Sequence, residues 1–343
     1  MVSGYIIGVV IKMKIFSYKE KPIEVHGVPF FEERGILERL PEGVRKAVPS
    51  LDGLGRRCPG ARICFRTNSP KIHLEMIFKT LSWDIGMSIY ACQSANVMIG
   101  DRRNARFAGL LHADDYETMV CHREFEKSSE MEDVTIWLPR NEEISDFKIS
   151  IEDDAVIEAP TPYKYPPMLY YGSSITEGGC CCRVTNAYNA IISQHLDIDY
   201  YNFGFSGGAK GELEIADYLN TIPMSIFVYD YDHNAPSAEH LEKTHEAFFK
   251  RIREKNPDLP VVILTKPDFD YDPEGAERRK VIYRTYENAV NSGDKNVYFI
   301  DGETFFTETD RHFCTIDCCH PNDLGFYRMA EKIEPVIRQI LGE

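Results

Sequence analysis

Residues 168–178 of the 343-residue chain read MLYYGSSITEG, and this stretch decides the fold of the second half of the protein. A short apolar run at 168–171 is followed at once by a glycine, two serines and a helical stretch. Apolar runs of this length are typical of strands that are buried on both faces of a parallel sheet. The sequence therefore predicts a strand, a tight turn that presents a hydroxyl group, and a helix.

The same pattern repeats toward the C-terminus. Four more short apolar runs alternate with helical stretches, and they lie at 200–203, 226–229, 261–264 and 297–300. Five buried strands with intervening helices predict a doubly wound α/β fold, with a five-stranded parallel sheet, over residues 168–343. Because ligands of such sheets bind at the carboxyl ends of the strands, the turns that follow the strands are the candidate site.

The first half of the chain has a different period. Ile72, Leu74 and Met76 alternate with polar residues, and the alternation recurs at 134–138 and 147–151. Such strands bury one face, so residues 1–160 are predicted to form an antiparallel, jelly-roll-like β-sandwich. Prolines in 161–167 interrupt both patterns, and we expect this segment to be the linker.

The first twelve residues have two open interpretations. They are either an extension upstream of the natural start, because Met13 and Lys14 precede strand-like sequence, or an ordinary edge strand. The apolar run at 5–11 is too short to span a bilayer, and it lacks the flanking features of a signal peptide. We expect neither a signal peptide nor a membrane span.

The charge of the chain argues against two classes of partner. The sequence has 39 Lys and Arg against 54 Asp and Glu, a formal net charge of −15. Such a surface repels phosphate backbones and anionic lipid headgroups, so we expect no nucleic acid and no membrane partner. Homo-oligomerisation is left open.

The ten cysteines do not follow the pattern of a small secreted disulfide scaffold, and they favour a cytoplasmic location. Three are adjacent at 180–182, and Cys314, Cys318 and Cys319 lie close to a later Asp and His. Adjacent cysteines lack the two-residue spacing of zinc knuckles. We therefore expect partly buried thiols, with no metal and no cofactor.

Polar residues follow three strands of the predicted sheet. Ser173 and Ser174 follow the first, NFGFSGG at 202–208 includes the end of the second and its turn, and DYDHN at 230–234 ends the third. Taken singly these are typical of helix caps and turns. Asp317 lies three residues before His320 and ahead of the last helix, which places an acid and a base on one loop. Their coincidence at one sheet edge favours catalysis.

These blocks resemble, in order, four blocks of the SGNH, or GDSL-like, hydrolase family, and the resemblance covers residues 166–343. The blocks lie at 172–178, 202–207, 232–234 and 317–320. The family's fold is a five-stranded parallel sheet between helices, which agrees with the prediction from periodicity.

The resemblance implies a serine esterase without a cofactor. Ser174 would be the nucleophile, His320 the general base and Asp317 the group that orients the imidazole. The oxyanion would be held by the N–H groups of Ser174 and Gly207 and by the side-chain amide of Asn234.

Three further residues are candidate substrate contacts. The third block lacks the family's usual glycines, and we expect Tyr231 and His233 to narrow the site, which favours short acyl groups such as acetyl. Arg183 is expected either to bind a substrate oxygen or to form a surface salt bridge.

The first half of the chain is similar, in strand pattern and domain order, to the β-sandwich domains attached to several carbohydrate-active esterases of this family. This implies a small-molecule or saccharide ester as substrate. An acyltransferase that uses the same acyl-enzyme and a catalytically inactive glycan-binding protein are the alternatives. The sandwich itself would assist recognition or oligomerisation, or would only stabilise the fold.

Overall fold

The computed structural model describes residues 12–82, 84–113, 119–267 and 272–343. The two interpretations of the first twelve residues concern a segment that lies, except for Lys12, outside the described residues. Residues 12–158 are called the β region below, and residues 165–343 the α/β region.

Two antiparallel sheets form the β region. The first has the order β1-β9-β4-β7, with strands Met13–Ser17, Ile144–Glu152, Lys71–Phe78 and Val120–Glu126. The second has the order β10-β3-β8-β5-β6, with β2 paired to β3, and its strands are Ile157–Glu158, Arg62–Thr67, Glu132–Trp137, Ser94–Ile99, Arg106–His112 and Glu24–His26.

The two sheets share one core. Ile72 and Leu74 of β4 and Ile149 of β9 are buried with Ile63 of β3 and Ile136 of β8. Their alternation with polar residues is the one-face pattern that the sequence shows. The prediction of an all-β first half is confirmed at this level, and the finer jelly-roll assignment stays a prediction.

Four short α-helices lie in the described part of the β region: α1 Phe31–Arg34, α2 Glu42–Ala47, α3 Asp52–Arg56 and α4 Ile89–Gln93. The segment that carries α2 and α3 packs away from the sandwich. Leu40, Val48 and Leu51 are buried in the same apolar core as Phe203 and Leu219 of the α/β region. The two regions therefore share core residues.

The α/β region has a five-stranded parallel sheet, as predicted. Its order is β12-β11-β13-β14-β15, with strands Ile198–Gly204, Tyr165–Gly172, Phe227–Asp230, Val261–Leu264 and Val297–Ile300. Its helices are α5 Ser174–Glu177, α6 Tyr188–Leu196, α7 Leu213–Leu219, α8 Ala238–Lys255, α9 Gly275–Asn291 and α10 Asp323–Leu341.

Neighbouring residues of the central strands enter opposite cores. Tyr171 and Tyr229 pack with Phe248 of α8, whereas Tyr170 and Val228 pack in the core that includes Ile333 of α10. Because helices cover both faces of the sheet, the strands are almost entirely apolar. Each strand therefore appears in the sequence as a continuous apolar run.

Strand β11 begins at Tyr165, three residues before the predicted start. Pro166 and Pro167 therefore lie inside a strand rather than in the linker. The pairing of β11 with β12 shifts register between Tyr165 and Met168, at the position of these prolines. Proline has no N–H to donate to a ladder, so it is tolerated where the pairing is irregular.

No helix within the described ranges has the length and apolar character needed to cross a bilayer.

Arg62 of β3 joins the two regions. Its side chain is fully buried and pairs with Asp199 at the start of β12. Its guanidinium lies 5.0 Å from the ring centroid of Trp137 and 4.6 Å from that of Tyr200. The charge is thus held between a carboxylate and two aromatic faces, one from each region.

We expect Arg62→Ala to lower the free energy of unfolding by about 3 kcal/mol, because Asp199 loses its buried partner and the aromatic rings lose a packing surface. Arg66→Ala is the matched control, since Arg66 lies on the same strand, is 34% exposed and makes only long ion pairs. It should cost less than ~1 kcal/mol. Denaturant unfolding measures both, and equal losses would contradict this assignment.

Candidate active site

The turn after β11 carries the predicted nucleophile. Gly172 ends the strand, where a β-carbon would overlap the backbone oxygen of Asp230. Ser173 caps helix α5, because its Oγ accepts a hydrogen bond of 3.1 Å from the N–H of Ile175. Ser174 is the first residue of that helix. The two adjacent serines therefore have different environments, one bonded to the helix end and the other facing the loop that precedes α10.

The loop of residues 315–321, called the acid–base loop below, brings the predicted acid and base to Ser174. The Oγ of Ser174 lies 2.8 Å from Nε2 of His320, and Nδ1 of His320 lies 2.7 Å from Oδ2 of Asp317. Ser174 is 146 positions from His320 in sequence, whereas Asp317 and His320 are three positions apart. Their order and distances are those of a nucleophile, a base and an orienting carboxylate.

Backbone bonds fix the acid–base loop. The N–H groups of Cys319 and His320 donate to Oδ1 of Asp317 at 3.1 and 2.7 Å. A bridge between Thr315 and Pro321 and a bond of 3.0 Å from the Ile316 N–H to the His320 carbonyl close the loop. The carboxylate is therefore held by the same few residues that carry the imidazole.

The protonation equilibria follow from these contacts. A hydrogen bond with the Cys319 thiol, and then the bond to Asp317, outweigh burial and raise the pKa of His320 to about 9. Burial acts to raise the pKa of Asp317, but hydrogen bonds from the His320 backbone and imidazole exceed it, so the pKa is lowered. The pair thus favours an ionised carboxylate beside a basic imidazole.

The turn of residues 205–208, called the glycine turn below, places Gly207 at an open position. Gly207 is exposed, has a φ of +68°, and no atom lies within 4 Å of the position of its missing β-carbon. The N–H of Phe205 donates to the carbonyl of Gly172 at 2.9 Å, which ties the glycine turn to the end of β11. Glycine is suited to this backbone conformation and leaves room for a ligand.

The turn of residues 232–235, called the asparagine turn below, contacts the glycine turn. Nδ2 of Asn234 donates to the carbonyl of Phe205 at 2.6 Å. An amide nitrogen carries two N–H groups, so one bond to the protein leaves a second donor. The structure therefore brings Gly207 and Asn234 to neighbouring turns, as the predicted oxyanion hole requires.

Two arginines that sequence reasoning missed hold these turns. Arg39 of the β region is fully buried, donates to the carbonyls of Asn202 and Gly204 at 2.9 and 2.6 Å, and lies 3.3 Å from Glu177. Glu177 accepts in turn from the N–H of Ser206 at 3.1 Å and from its hydroxyl. A buried network thus runs from the β region to the residue before Gly207.

Arg278 of α9 does the same for the asparagine turn. Its Nε donates to Asp232 at 2.9 Å, and its Nη1 donates to the carbonyl of Ala235 at 3.1 Å. Asp232 and Ala235 are the first and last residues of the asparagine turn, so one guanidinium holds both of its ends. The only signal in the sequence was a charged residue within an amphipathic helix, which is typical of a solvated face.

The prediction that Tyr231 contacts substrate is wrong. Tyr231 is completely buried, its hydroxyl is 2.9 Å from Oγ1 of Thr244, and its ring packs beside Tyr229 and His245. Tyr231 directly follows β13, and its ring enters the same core as Tyr229 and Phe248 of α8.

The other two candidate contacts have different positions. Nδ1 of His233 lies 3.7 Å from Sγ of Cys319, so His233 is adjacent to the acid–base loop. Arg183 lies 4.0 Å over the ring of Phe107 in the β region and donates to Asn186 at 3.1 Å. This position packs Arg183 between the two regions, and its predicted contact with a substrate oxygen stays a prediction.

None of the ten cysteines, all of which lie in the described ranges, forms a disulfide. Cys180, Cys181 and Cys314 are buried, as expected for small thiols, whereas Cys182 and Cys318 are exposed and Cys319 is partly exposed. The exposed members lie on the two loops beside Ser174 and His320.

Two families match the two regions of the chain. Residues 166–338, just over half of the chain, match the family described as GDSL-like lipase/acylhydrolase. Residues 13–157 match the GxDLY family, described as the N-terminus of SGNH-hydrolase-type esterases. A search of curated proteins found no match.

Several solved structures have the same two-region architecture. A candidate GDSL-like lipase from Bacteroides ovatus is 25% identical with a TM-score of 0.86. The salicylyl-acyltransferase SsfX3 of a tetracycline biosynthetic pathway is 18% identical with a TM-score of 0.79. A family two carbohydrate esterase from Cellvibrio japonicus is 13% identical with a TM-score of 0.65. Each alignment covers 96% of this chain and 98% of the other.

The family match spans the parallel sheet, the serine turn and the acid–base loop, and the structural similarity spans both regions. The chain belongs to the GDSL-like lipase/acylhydrolase family.

Proposed function

We propose that this protein is a serine esterase that hydrolyses short-chain acyl esters, acetyl esters above all, on carbohydrate-type substrates. The observation that carries the proposal is the bonded series in which Ser174 Oγ lies 2.8 Å from His320 and His320 lies 2.7 Å from Asp317. A scaffold without catalysis has no physical requirement for this alignment, which disfavours the inactive glycan-binding alternative.

The mechanism follows from these positions. A serine hydroxyl is a weak nucleophile at neutral pH, so His320 removes the proton of Ser174 as Oγ attacks the ester carbonyl. Asp317 accepts from the other ring nitrogen, which fixes the tautomer and stabilises the imidazolium. His320 then gives its proton to the leaving alcohol, and a water molecule activated by the same imidazole releases the acid from Ser174.

The tetrahedral intermediate carries a negative charge on the former carbonyl oxygen. In this proposal the N–H groups of Ser174 and Gly207 and the Nδ2 donor of Asn234 stabilise it. Loss of one such donor typically lowers the rate by ~10²- to 10³-fold. The buried arginines behind both turns support this role, because donors that are already fixed need no reorganisation during the reaction.

The substrate class is supported by structural similarity and by the site itself. Carbohydrate esterases share this fold, among them the one from Cellvibrio japonicus and the acetyl xylan esterase Est2A from Butyrivibrio proteoclasticus, which has a TM-score of 0.62. His233 precedes Asn234 and lies 3.7 Å from Cys319 of the acid–base loop, and we infer that its ring limits the space for long acyl groups. The acidic surface offers no attraction to an anionic lipid interface.

An acyltransferase is the second candidate. The salicylyl-acyltransferase SsfX3 has the same architecture over nearly the full length of both chains. The same acyl-enzyme would form, and an alcohol rather than water would take the acyl group. Product analysis in the presence of acceptor sugars separates the two, because an acyltransferase yields the acylated sugar at the expense of free acid.

Ser174→Ala should lower kcat for p-nitrophenyl acetate by at least ~10³-fold and leave the fold intact, because the hydroxyl beside His320 is removed. Ser173→Ala is the matched control. It should retain most activity and lose only about 1 kcal/mol of stability with its cap bond. A fluorophosphonate probe mapped by mass spectrometry tests the assignment directly, and a label on Ser173 would contradict it.

The acyl preference is tested with a series of p-nitrophenyl esters. We expect kcat/KM to fall from acetyl to butyryl to octanoyl, because one methylene is worth ~1 to 3 kcal/mol in a fitted pocket and six cannot be housed. A steady rise of kcat/KM with chain length would instead indicate a lipase-like pocket.

The pH dependence reports on His320. Because its pKa is raised to about 9, the imidazole stays protonated, and unable to act as a base, to higher pH than an ordinary histidine with a pKa of 6.5. The value of kcat/KM should therefore rise with pH through a midpoint above 6.5. In Cys319→Ala the midpoint should move down, since the thiol contact is gone. A wild-type midpoint at or below 6.5 would refute this.

A further inference from the structure

Four side chains that are typical metal ligands meet beside the acid–base loop. The donor atoms of Asp317, Cys319 and His320 all lie within 4.8 Å of one another. Nδ1 of His233, from the asparagine turn, lies 3.7 Å from Sγ of Cys319. These four residues are called the Cys319 cluster below. It contains a soft thiol, two imidazoles and one carboxylate, contributed by two separate turns.

The spacing suits a tetrahedral ion. Zinc bonds of ~2.0 to 2.3 Å hold neighbouring ligand atoms roughly 3.3 to 3.8 Å apart. The contact between His233 and Cys319 is already in this range. The ligand atoms of Asp317, Cys319 and His320 lie within 4.8 Å of one another, so side-chain adjustments of about 1 Å bring the distances among these three into this range.

The donor types select the class of ion. Thiolate and imidazole ligands favour zinc and related soft or borderline cations, whereas magnesium and calcium require mainly oxygen ligands. His233 adds a second observation. Its Nε2 is buried and has no hydrogen-bond partner among the described residues. The orientation of the ring is therefore not fixed by a bond at Nε2, and Nδ1 is available as the ligand atom.

The Cys319 cluster is open to solvent. The side chain of Asp317 is 45% exposed and that of His320 is 24% exposed, and Cys319 is partly exposed. The net charge of −15 raises the local concentration of cations near the surface. An ion can therefore reach the ligands without opening the fold.

We propose that the Cys319 cluster binds a zinc-class divalent cation and that the bound ion inhibits the enzyme reversibly. Cys319 and His233 hold the ion, the protons of the Cys319 thiol and of the His320 imidazolium are released to solvent, and the neutral imidazole of His320 gives its lone pair to the ion. An imidazole bound in this way cannot accept the proton of Ser174, so acylation stops. The inhibition rests on the proposed function of His320, whereas the binding itself does not.

The activity test uses the full chain after treatment with EDTA. Chelation should leave esterase activity unchanged or raise it, and added zinc should lower it by at least ~10-fold until EDTA restores it. Magnesium should have no effect. Activity that falls on chelation and returns with zinc would overturn the proposal, because the ion would then be catalytic.

Two serine variants locate the site. In Cys319→Ser the zinc concentration for half-inhibition, measured relative to the variant's own activity, should rise by at least ~10-fold. Cys318→Ser is the matched control, because Cys318 is the adjacent exposed thiol and lies outside the cluster. It should respond to zinc as the wild type does. Equal zinc sensitivity of Cys319→Ser and wild type would overturn the assignment.

Direct binding is measured with cobalt(II) as the probe, in the Ser174→Ala background, so that no activity is needed. We expect a thiolate-to-cobalt absorption band that is retained in Cys318→Ser and lost in Cys319→Ser. If the enzyme hydrolyses esters but shows no such band, the metal site is wrong and the esterase stands. If the band is present and hydrolysis is absent, the site stands and the proposed function fails.

Discussion

The ion pair between Arg39 and Glu177 is the interaction on which the site depends most. Both side chains are almost completely buried, and they belong to different regions of the molecule. Burial lowers the pKa of Arg39 to about 10, although Glu177 opposes this effect. Removing one partner of such a pair typically costs ~3 to 5 kcal/mol, because the other charge stays buried. The β region is thus joined to helix α5, which begins at Ser174, by a buried ion pair in which each region supplies one charge.

The groups proposed to react and the groups that hold the backbone of the site differ in burial. Of the groups proposed to handle the reacting atoms, His320 and Asn234 are partly exposed and Ser174 lies at the buried end of the site. The groups that hold their backbone, Arg39 and Arg278, are charged and buried. Each guanidinium satisfies several carbonyl and carboxylate oxygens at once, which a shorter or more flexible cation could not do.

The sequence predicted the parallel sheet and the position of its polar turns, because both depend on local periodicity and on the order of short motifs. It failed at Tyr231, since closeness to Asn234 in sequence does not say into which core the side chain that follows β13 packs. It also missed Arg39, whose role depends on contacts with residues 138 positions or more away in sequence. The predicted linker was too long, because the sequence does not distinguish prolines at the irregular start of a strand from prolines in a loop.

Because the acid–base loop is closed, the orientation of His320 by Asp317 and the distance from His320 to Ser174 are set by different parts of the structure. Asp317 and His320 are fixed to each other by bonds within residues 315–321, whereas Ser174 belongs to a different element. A small rigid-body displacement of this loop would change the distance from the base to the nucleophile and leave the orientation of the imidazole intact. Proton transfer could therefore be interrupted and restored by moving one short hairpin, with no loss of the correct tautomer and no rearrangement of the sheet.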